Sequence, residues 1–372
     1  MIQGSWHHFN PVRVEFGVGC LERLADSDIV GSGQVLLVTT AGFVRRGQAA
    51  KVCEILGASR TSVFDDVTPN PEIDDLDCAM RVLRDCIPTV IVALGGGSVI
   101  DAAKAMAVGF KVDAGEAPFA AMLRHDHERP EHAVPVIAVP TTAGTGSEVT
   151  PFATVWDRQE HRKHSIAGNH VYPAAAIVDP TLTLSLPSEE TLHTALDAIS
   201  HSLESLWNRN RTPLSEGFSV RALREAISAL PAVLTNPGDL AARSAMQRAS
   251  LFAGMAISQT RTAIAHSISY PLTTHYGVPH GLACSFTLPR IISEHLERDG
   301  EPPEIENLME RARVLLVSLR LDERLRSFAS QAQVEALEGE MAQPGRADNY
   351  VGSVEGLDRF VRPVSDAKDG SA

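Results

Sequence analysis

The sequence is short of positive charge: 33 lysines and arginines stand against 46 aspartates and glutamates, a formal net charge of -13 at pH 7. Neutralising a phosphate backbone requires a basic surface, so a general nucleic-acid binder is excluded, although a local basic pocket for one small anion stays open. Cysteine is sparse as well. Cys20, Cys53, Cys78, Cys86 and Cys284 form an odd, scattered set with no C-x-x-C spacing, which argues against a zinc or redox motif and for reduced thiols in a cytoplasmic protein. No apolar stretch reaches spanning length, and the opening MIQGSWHHFNP lacks the basic flank and apolar run of an export signal, so neither export nor a membrane partner is expected. Internal repeats and low-complexity tracts are also missing.

What is present is a chain of 372 residues, 44% hydrophobic and 21% charged, long enough for two packed units and ordinary for a globular protein. Its first half alternates short apolar runs with helical patterns: 35–38, then 50–56, 78–84, 89–94 and 100–108. Further strands are expected at 136–139 and 174–179. That alternation predicts an α/β domain with a mainly parallel, Rossmann-like sheet over residues 1–180. From Glu189 to Leu337 the period is helical, with breaks expected at Pro213, Pro231 to Pro237, Pro271, Pro279, Pro289 and Pro302 to Pro303, which predicts an all-helical domain over 181–372. The tail from Gln343 mixes Gly, Pro, Asp and Ser, and its last dozen residues are expected to be loosely held.

Two strand-to-loop junctions carry small residues. The strand at 89–94 runs into Gly95-Gly96-Gly97-Ser98 and a helix bearing Asp101 and Lys104; the strand at 136–139 enters Pro140-Thr141-Thr142-Ala143-Gly144-Thr145-Gly146-Ser147-Glu148. Glycines let a backbone approach a ligand, and amides exposed at a helix start favour an anion, although such turns also arise for steric reasons alone. Two such loops at strand carboxyl ends describe a crevice for a phosphorylated ligand. Neither matches G-x-G-x-x-G or G-x-x-x-x-G-K-[ST], so neither a standard Rossmann fingerprint nor a nucleotide-hydrolysing loop is indicated.

Asp197 and His201 lie four apart in the helical stretch 189–207. Alone, that pair is more often helix support than a metal site. His266, placed late in an expected apolar helix over 251–268, and His280 in Pro279-His280-Gly281 complete one aspartate and three histidines, a shell suited to Fe(II) or Zn(II). His7, His8, His125, His127, His161 and His164 sit in polar segments and are expected at the surface; His275 lies between two of the proposed ligands.

In this order, GGGSVIDAAKA, PTTAGTGSEVT, DAISH and the final PHG resemble the iron-containing (group III) alcohol dehydrogenases over roughly residues 16–289. The resemblance implies a dinucleotide-binding domain followed by a helical metal-binding domain, with metal ligands Asp197, His201, His266 and His280. It also implies cofactor contacts at Gly96, Gly97, Ser98 and Asp101, at Thr141, Thr142, Thr145 and Ser147, and at Asn70 and Lys163, and commonly a homodimer. The implied activity is that of a metal-dependent, NAD(P)H-linked reductase turning a small aldehyde into a primary alcohol. The runs 205–215 and 266–289 look most like the phosphonoacetaldehyde reductase branch, which makes 2-hydroxyethylphosphonate; Arg209, Arg211 and Arg261 are candidates to answer a phosphonate. Two departures from the family pattern stand out. Tyr270 occupies the position four after His266 where many relatives carry a histidine, so Tyr270 or His275 would have to deliver the proton. Thr40 stands where NAD-preferring relatives often place an aspartate, and with Arg45 and Arg46 nearby NADPH is expected to be accepted and preferred. The competing readings are a general short-chain alcohol dehydrogenase, a maleylacetate-type reductase, a dehydroquinate-synthase-like lyase and a non-catalytic dinucleotide sensor.

Overall fold

A computed structural model describes residues 5–83, 88–112, 117–125, 130–160 and 162–362. Arg84, Cys86, His127, His161 and residues 363–372, on which expectations above fell, lie outside the described residues. The chain forms two compact units: Phe9–Leu186, and Pro187–Ala372 together with Met1–His8.

The first unit is built on a parallel sheet. Its strands are β1 (Arg13–Phe16), β2 (Val35–Val38), β3 (Thr61–Phe64), β4 (Val90–Gly95) and β5 (Val136–Pro140), while β6 (Phe152–Asp157) and β7 (Arg162–Ala167) stand apart and β8 (Ala175–Val178) returns to the sheet. Among the described residues the sheet has six strands in the order β1-β8-β5-β4-β2-β3, every pair parallel. VLLV, VIVALG, VIAVP and AAIV are wholly buried because a parallel strand inside such a sheet is covered on both faces and reads as a continuous apolar run. The edges RVEF and TSVF are half exposed and mixed in character, which is why the apolar pattern did not reveal them. Helices α1 (Ala41–Arg45), α2 (Gln48–Leu56), α3 (Ile73–Leu83), α4 (Gly97–Gly109) and α5 (Pro118–Arg124) accompany the sheet. Residues of α3, α4 and α5 share one buried apolar cluster with β4 and β5, and residues of α2 share a second.

From β2 the chain crosses to β3 on one side, whereas β4 lies on the other side and leads on to β5. The sheet therefore has a switch point beside the carboxyl ends of β2 and β4, the usual place for a ligand crevice in such a fold. Pairing of Gly95 with Pro140 brings the glycine loop and the threonine loop side by side at that edge. The antiparallel β6–β7 hairpin was not foreseen: its alternating burial is diluted by the polar turn between its strands.

The second unit is helical: α6 (Ser188–Leu206), α7 (Pro213–Thr235), α8 (Leu240–Thr260), α9 (Ile264–Tyr276), α10 (His280–Ser285), α11 (Leu288–Asp299) and α12 (Pro303–Ser318), followed by shorter turns. Pro213 opens α7 behind a Thr212–Ser215 capping box, and Pro279 and Pro302 precede α10 and α12, as the missing N–H of proline favours. Pro231 and Pro271 do not break their helices but sit inside α7 and α9. The expected helix over 251–268 is two helices. Arg261 at φ 62° and ψ 177° ends α8, so His266 stands in the first turn of α9 rather than late in a longer helix. Among the described residues no helix is long and apolar enough to cross a membrane.

Candidate metal centre and dinucleotide loops

Helix α6 packs against α7, α8 and α10, and its middle is buried although it carries Asp197, His201 and Glu204. Spacing of four and then three residues puts these side chains on one face. His266 reaches the same place from the start of α9, and His280 is the first residue of α10. From Asp197 Oδ1 the Nε2 atoms lie at 3.5 Å for His201, 3.4 Å for His266 and 3.8 Å for His280. The His201 and His266 rings stack with centroids 4.7 Å apart, and His280 meets His266 edge-on at 5.2 Å.

The donors fit a divalent cation. Asp197 Oδ1 and His266 Nε2 are buried atoms without a hydrogen-bond partner, yet they face each other. Oxygen and nitrogen ligands 2.0–2.2 Å from a tetrahedral ion stand about 3.4 Å apart, close to the separations found. Burial would raise the Asp197 carboxyl, but His201, His266 and His280 outweigh it and hold it well below the usual carboxylate range. Without a cation, burial opposes charge on His266 while Cys284, Glu204 and Asp197 push it well above the ordinary imidazole value, so a bound cation would take the place of the Nε2 proton.

Two side chains that lie against the donors were not singled out as site residues by the sequence. Glu204 accepts the His266 backbone N–H at 3.1 Å and contacts ring Nδ1 at 2.5 Å; a proton on Nδ1 leaves the Nε2 lone pair aimed at Asp197, the arrangement that orients metal-binding imidazoles. Its position seven residues after Asp197 was the available signal. Cys284, one turn after His280 and fully buried, has Sγ 3.6 Å from His280 Nε2. Both enter the site because α10 lies directly on α6. A Cβ on Gly281 would fall 1.8 Å from the His193 carbonyl oxygen, and Ser285 Oγ donates to Leu196 O at 3.0 Å.

Other expected residues are placed differently. Tyr270 follows His266 by one turn, with the Arg346 guanidinium 4.4 Å over its ring. His275 does not join the donors: it is exposed and meets Glu340 Oε2 at 2.9 Å, and nine residues of helix put it about 13 Å along and half a turn around from His266. His164, expected at the surface, is buried because it faces inward on β7, 3.6 Å from Asp157. Arg209 donates to Tyr350 O at 3.0 Å, and Arg211 binds Glu216 and Glu301 at 2.9 and 2.6 Å. Arg261 is different: its side chain is exposed and forms no ion pair among the described residues. Its φ, 62°, is one that side-chain-bearing residues seldom adopt. Three asparagines hold the turn, with Asn210 Nδ2 donating to Thr260 O at 3.3 Å, Asn208 Nδ2 to Arg261 O at 3.2 Å and Asn349 Nδ2 to Thr262 O at 2.9 Å.

In the first unit the structure draws the two loops into contact. A Cβ on Gly97 would lie 2.6 Å from Thr145 Cγ2, and one on Gly96 3.1 Å from Thr142 Cγ2, so these glycines serve loop packing whatever else they do. Ser98 Oγ accepts the backbone N–H of Asn70 at 3.3 Å, with Asn70 at φ 59°. Asp101 and Ser147, expected as cofactor contacts, are used internally: Asp101 accepts Ser147 Oγ at 2.6 Å and Thr154 N–H at 2.9 Å. Lys104 is buried and donates to Ser147 Oγ, Thr150 O and Phe152 O at 3.1, 2.9 and 2.9 Å. Thr141 is buried, while Thr142 and Thr145 keep partial exposure. Lys163 sits 5.2 Å over the Trp156 ring, and Thr40 caps α1 at the end of β2.

Comparison with known proteins agrees with this geometry. The model for iron-containing alcohol dehydrogenase matches residues 11–180, and that for the C-terminal part of the Fe-containing alcohol dehydrogenase family matches residues 191–361. The chain belongs to the iron-containing alcohol dehydrogenase family. It is 39% identical over 263 residues to phosphonoacetaldehyde reductase of Streptomyces viridochromogenes, covering 70% of this chain and 66% of that protein. It is 33% identical over 258 residues to a 1-propanol dehydrogenase of Citrobacter freundii, covering 68% and 64%. The matches thus span just under two thirds of these curated relatives. Among solved structures, sulfoacetaldehyde reductase from Bifidobacterium kashiwanohense in complex with NAD+ superposes with a TM-score of 0.87 at 28% identity, covering 96% of this chain and 98% of that one. An iron-containing alcohol dehydrogenase from Thermotoga maritima superposes at 0.80 with 30% identity, covering 96% and 98%.

Proposed function

We propose that this chain is a metal-dependent, NAD(P)H-linked reductase of a small anionic aldehyde, with phosphonoacetaldehyde, reduced to 2-hydroxyethylphosphonate, as its substrate. The observation that carries the reading is the convergence of Asp197 Oδ1 and His266 Nε2, both buried without a hydrogen bond and 3.4 Å apart, with His201 and His280 within 3.8 Å of the same oxygen. Asp197, His201, His266 and His280 would hold a divalent cation, which would supply Lewis acidity for reduction of a carbonyl group. Glu204 fixes the His266 ring for that duty. Tyr270, on the same face of α9, is the hydroxyl assigned to return the proton to the product. The dinucleotide is assigned to Asn70, Gly96, Gly97, Ser98, Thr141, Thr142, Thr145 and Lys163.

The anionic substrate is supported from two directions. Two of the similar proteins are named for phosphonoacetaldehyde and sulfoacetaldehyde, aldehydes that share a fixed anionic group. Of the three arginines proposed to answer such a group, Arg209 and Arg211 are committed to internal partners, which leaves Arg261. Thr40 offers no carboxylate to repel a 2'-phosphate, and Arg45 and Arg46 are exposed just beyond it; NADPH is accordingly assigned as the preferred cofactor. The protein is assigned to the cytoplasm as a homodimer, which light scattering would check.

The test is nicotinamide oxidation, followed by absorbance with NADH and NADPH, on chelated enzyme reloaded with Fe(II) or Zn(II) and offered phosphonoacetaldehyde, sulfoacetaldehyde and uncharged aldehydes. Metal-dependent turnover favouring the anionic aldehydes is expected. Turnover of uncharged aldehydes alone would remove the substrate assignment, and full activity in the chelated enzyme would remove the metal.

A further inference from the structure

The guanidinium of Arg346 lies 4.4 Å over the ring of Tyr270, one turn of α9 beyond His266. Among the described residues no carboxylate pairs with it and no hydrogen bond engages its side chain, although it is half-buried. Withdrawing a charge from water without a partner is costly, and a guanidinium held over an aromatic face keeps its N–H donors at its edge, open to an oxyanion. The backbone around Arg346 is fixed on both sides. Ser267, next to His266, donates Oγ to Met341 O at 2.6 Å and accepts Gln343 N–H at 2.8 Å, while Asn349 Nδ2 donates to Thr262 O at 2.9 Å. Between these ties Gly345 turns the chain at φ 79°, and Arg346 follows with its N–H on Gln343 O at 3.3 Å and its carbonyl taking Asn349 N–H at 2.9 Å.

We propose that Arg346 is a specificity-determining residue that binds the anionic end of the substrate, a tetrahedral oxyanion carried one carbon away from the aldehyde. The inference rests on the reading of the substrate as a small anionic aldehyde. One helical turn rises about 5.4 Å, comparable with the length of a two-carbon aldehyde bearing a phosphonate or sulfonate, so an aldehyde end near His266 leaves the anion within reach of the guanidinium over Tyr270. A planar fork of donors suits two oxygens of such a group at once. Arg346 acts with Arg261 rather than in its place: Asn349, which closes the turn of Arg346, is also the residue that holds Thr262 next to Arg261, so both arginines stand on one frame.

Steady-state kinetics of the full-length, metal-loaded protein with phosphonoacetaldehyde and acetaldehyde test this. Arg346→Met should raise KM for phosphonoacetaldehyde about 10–100-fold, the loss of charge-assisted hydrogen bonds, and lower the preference for the anionic aldehyde over the uncharged one by the same factor. Arg346→Lys, which keeps the charge and loses the fork, should recover part of that preference. Calorimetric titration with 2-hydroxyethylphosphonate should rank the affinities in the same order without turnover: wild type, then lysine, then methionine. Arg346→Gln takes the place of the methionine variant if melting curves show that the latter does not fold. A fall in kcat on both aldehydes with the preference intact overturns the inference, since Arg346 would then serve only Tyr270 or the packing of its turn. Unchanged affinity for 2-hydroxyethylphosphonate in the methionine or glutamine variant overturns it as well. A wild type that turns over acetaldehyde alone overturns the anionic-substrate reading and this inference together.

Discussion

Glu204 holds His266 at two points, through its backbone N–H at 3.1 Å and ring Nδ1 at 2.5 Å, and it does so where neither group meets water. A carboxylate in that position settles which ring nitrogen carries the proton and which is left to coordinate.

Glu204→Gln preserves shape but not charge. Metal affinity, read by chelator competition, should fall about 10–100-fold, as it does when the carboxylate behind a metal-bound imidazole is lost. Affinity equal to wild type would mean that Glu204 supports packing only.

Gly281→Ala asks whether α10 must lie on the α6 backbone. The added Cβ would meet the His193 carbonyl, a partner that cannot swing aside, so a loss of about 1–3 kcal/mol is expected, as for other overpacked sites. Calorimetry should then show Tm falling by about 2–4 °C per kcal/mol, with metal content falling as His280 moves. A melting curve identical to wild type would contradict the packing described.

Arg261→Gly should separate stability from substrate recognition. Glycine relieves the left-handed backbone, a gain of about 1 kcal/mol or more, so Tm rises. KM for phosphonoacetaldehyde should rise by at least about tenfold, the loss of one charge-assisted hydrogen bond, while an uncharged aldehyde is little affected. Equal effects on both aldehydes would refute an anion-binding role.

Glu148 predicts a pH effect in the first unit. Burial raises its carboxyl from 4.5 to about 7, with Lys104 only partly opposing, and its Oε1 has no hydrogen-bond partner. The folded state favours the protonated acid, so the associated stability is complete below pH 4.5 and is lost as pH climbs through 7, a change on the order of 3 kcal/mol. Lys104, lowered by burial to about 8, acts later, adding stability between pH 8 and 10.5 as the unfolded chain alone keeps the proton. Glu148→Gln should flatten the loss between pH 4.5 and 7 in urea titrations; an unchanged slope would show that another group is responsible.

The sequence displayed the parts of this molecule whose physics is local. Four buried strands were legible because strands covered on both faces cannot hide a polar residue, and Asp197 with His201 because a helix repeats every 3.6 residues. The edge strands β1 and β3 were not, since half-exposed segments of four residues carry too little pattern. His275 stands away from the donors; its place in the sequence between two of them says nothing of which side of α9 it faces. Cys284 and the asparagine hold on Arg261 depend on contacts between helices far apart in sequence, for which one chain offers no periodic signal.

The threonine loop is finished before any ligand reaches it. Lys104 binds four groups between Ser147 and Phe152, Asp101 takes Ser147 and Thr154, and the glycines of the neighbouring turn leave space only for Thr142 and Thr145. The dinucleotide proposed for that surface would meet a loop already held by its own hydrogen bonds, so on this side its rate of capture would be set by encounter and orientation rather than by loop closure.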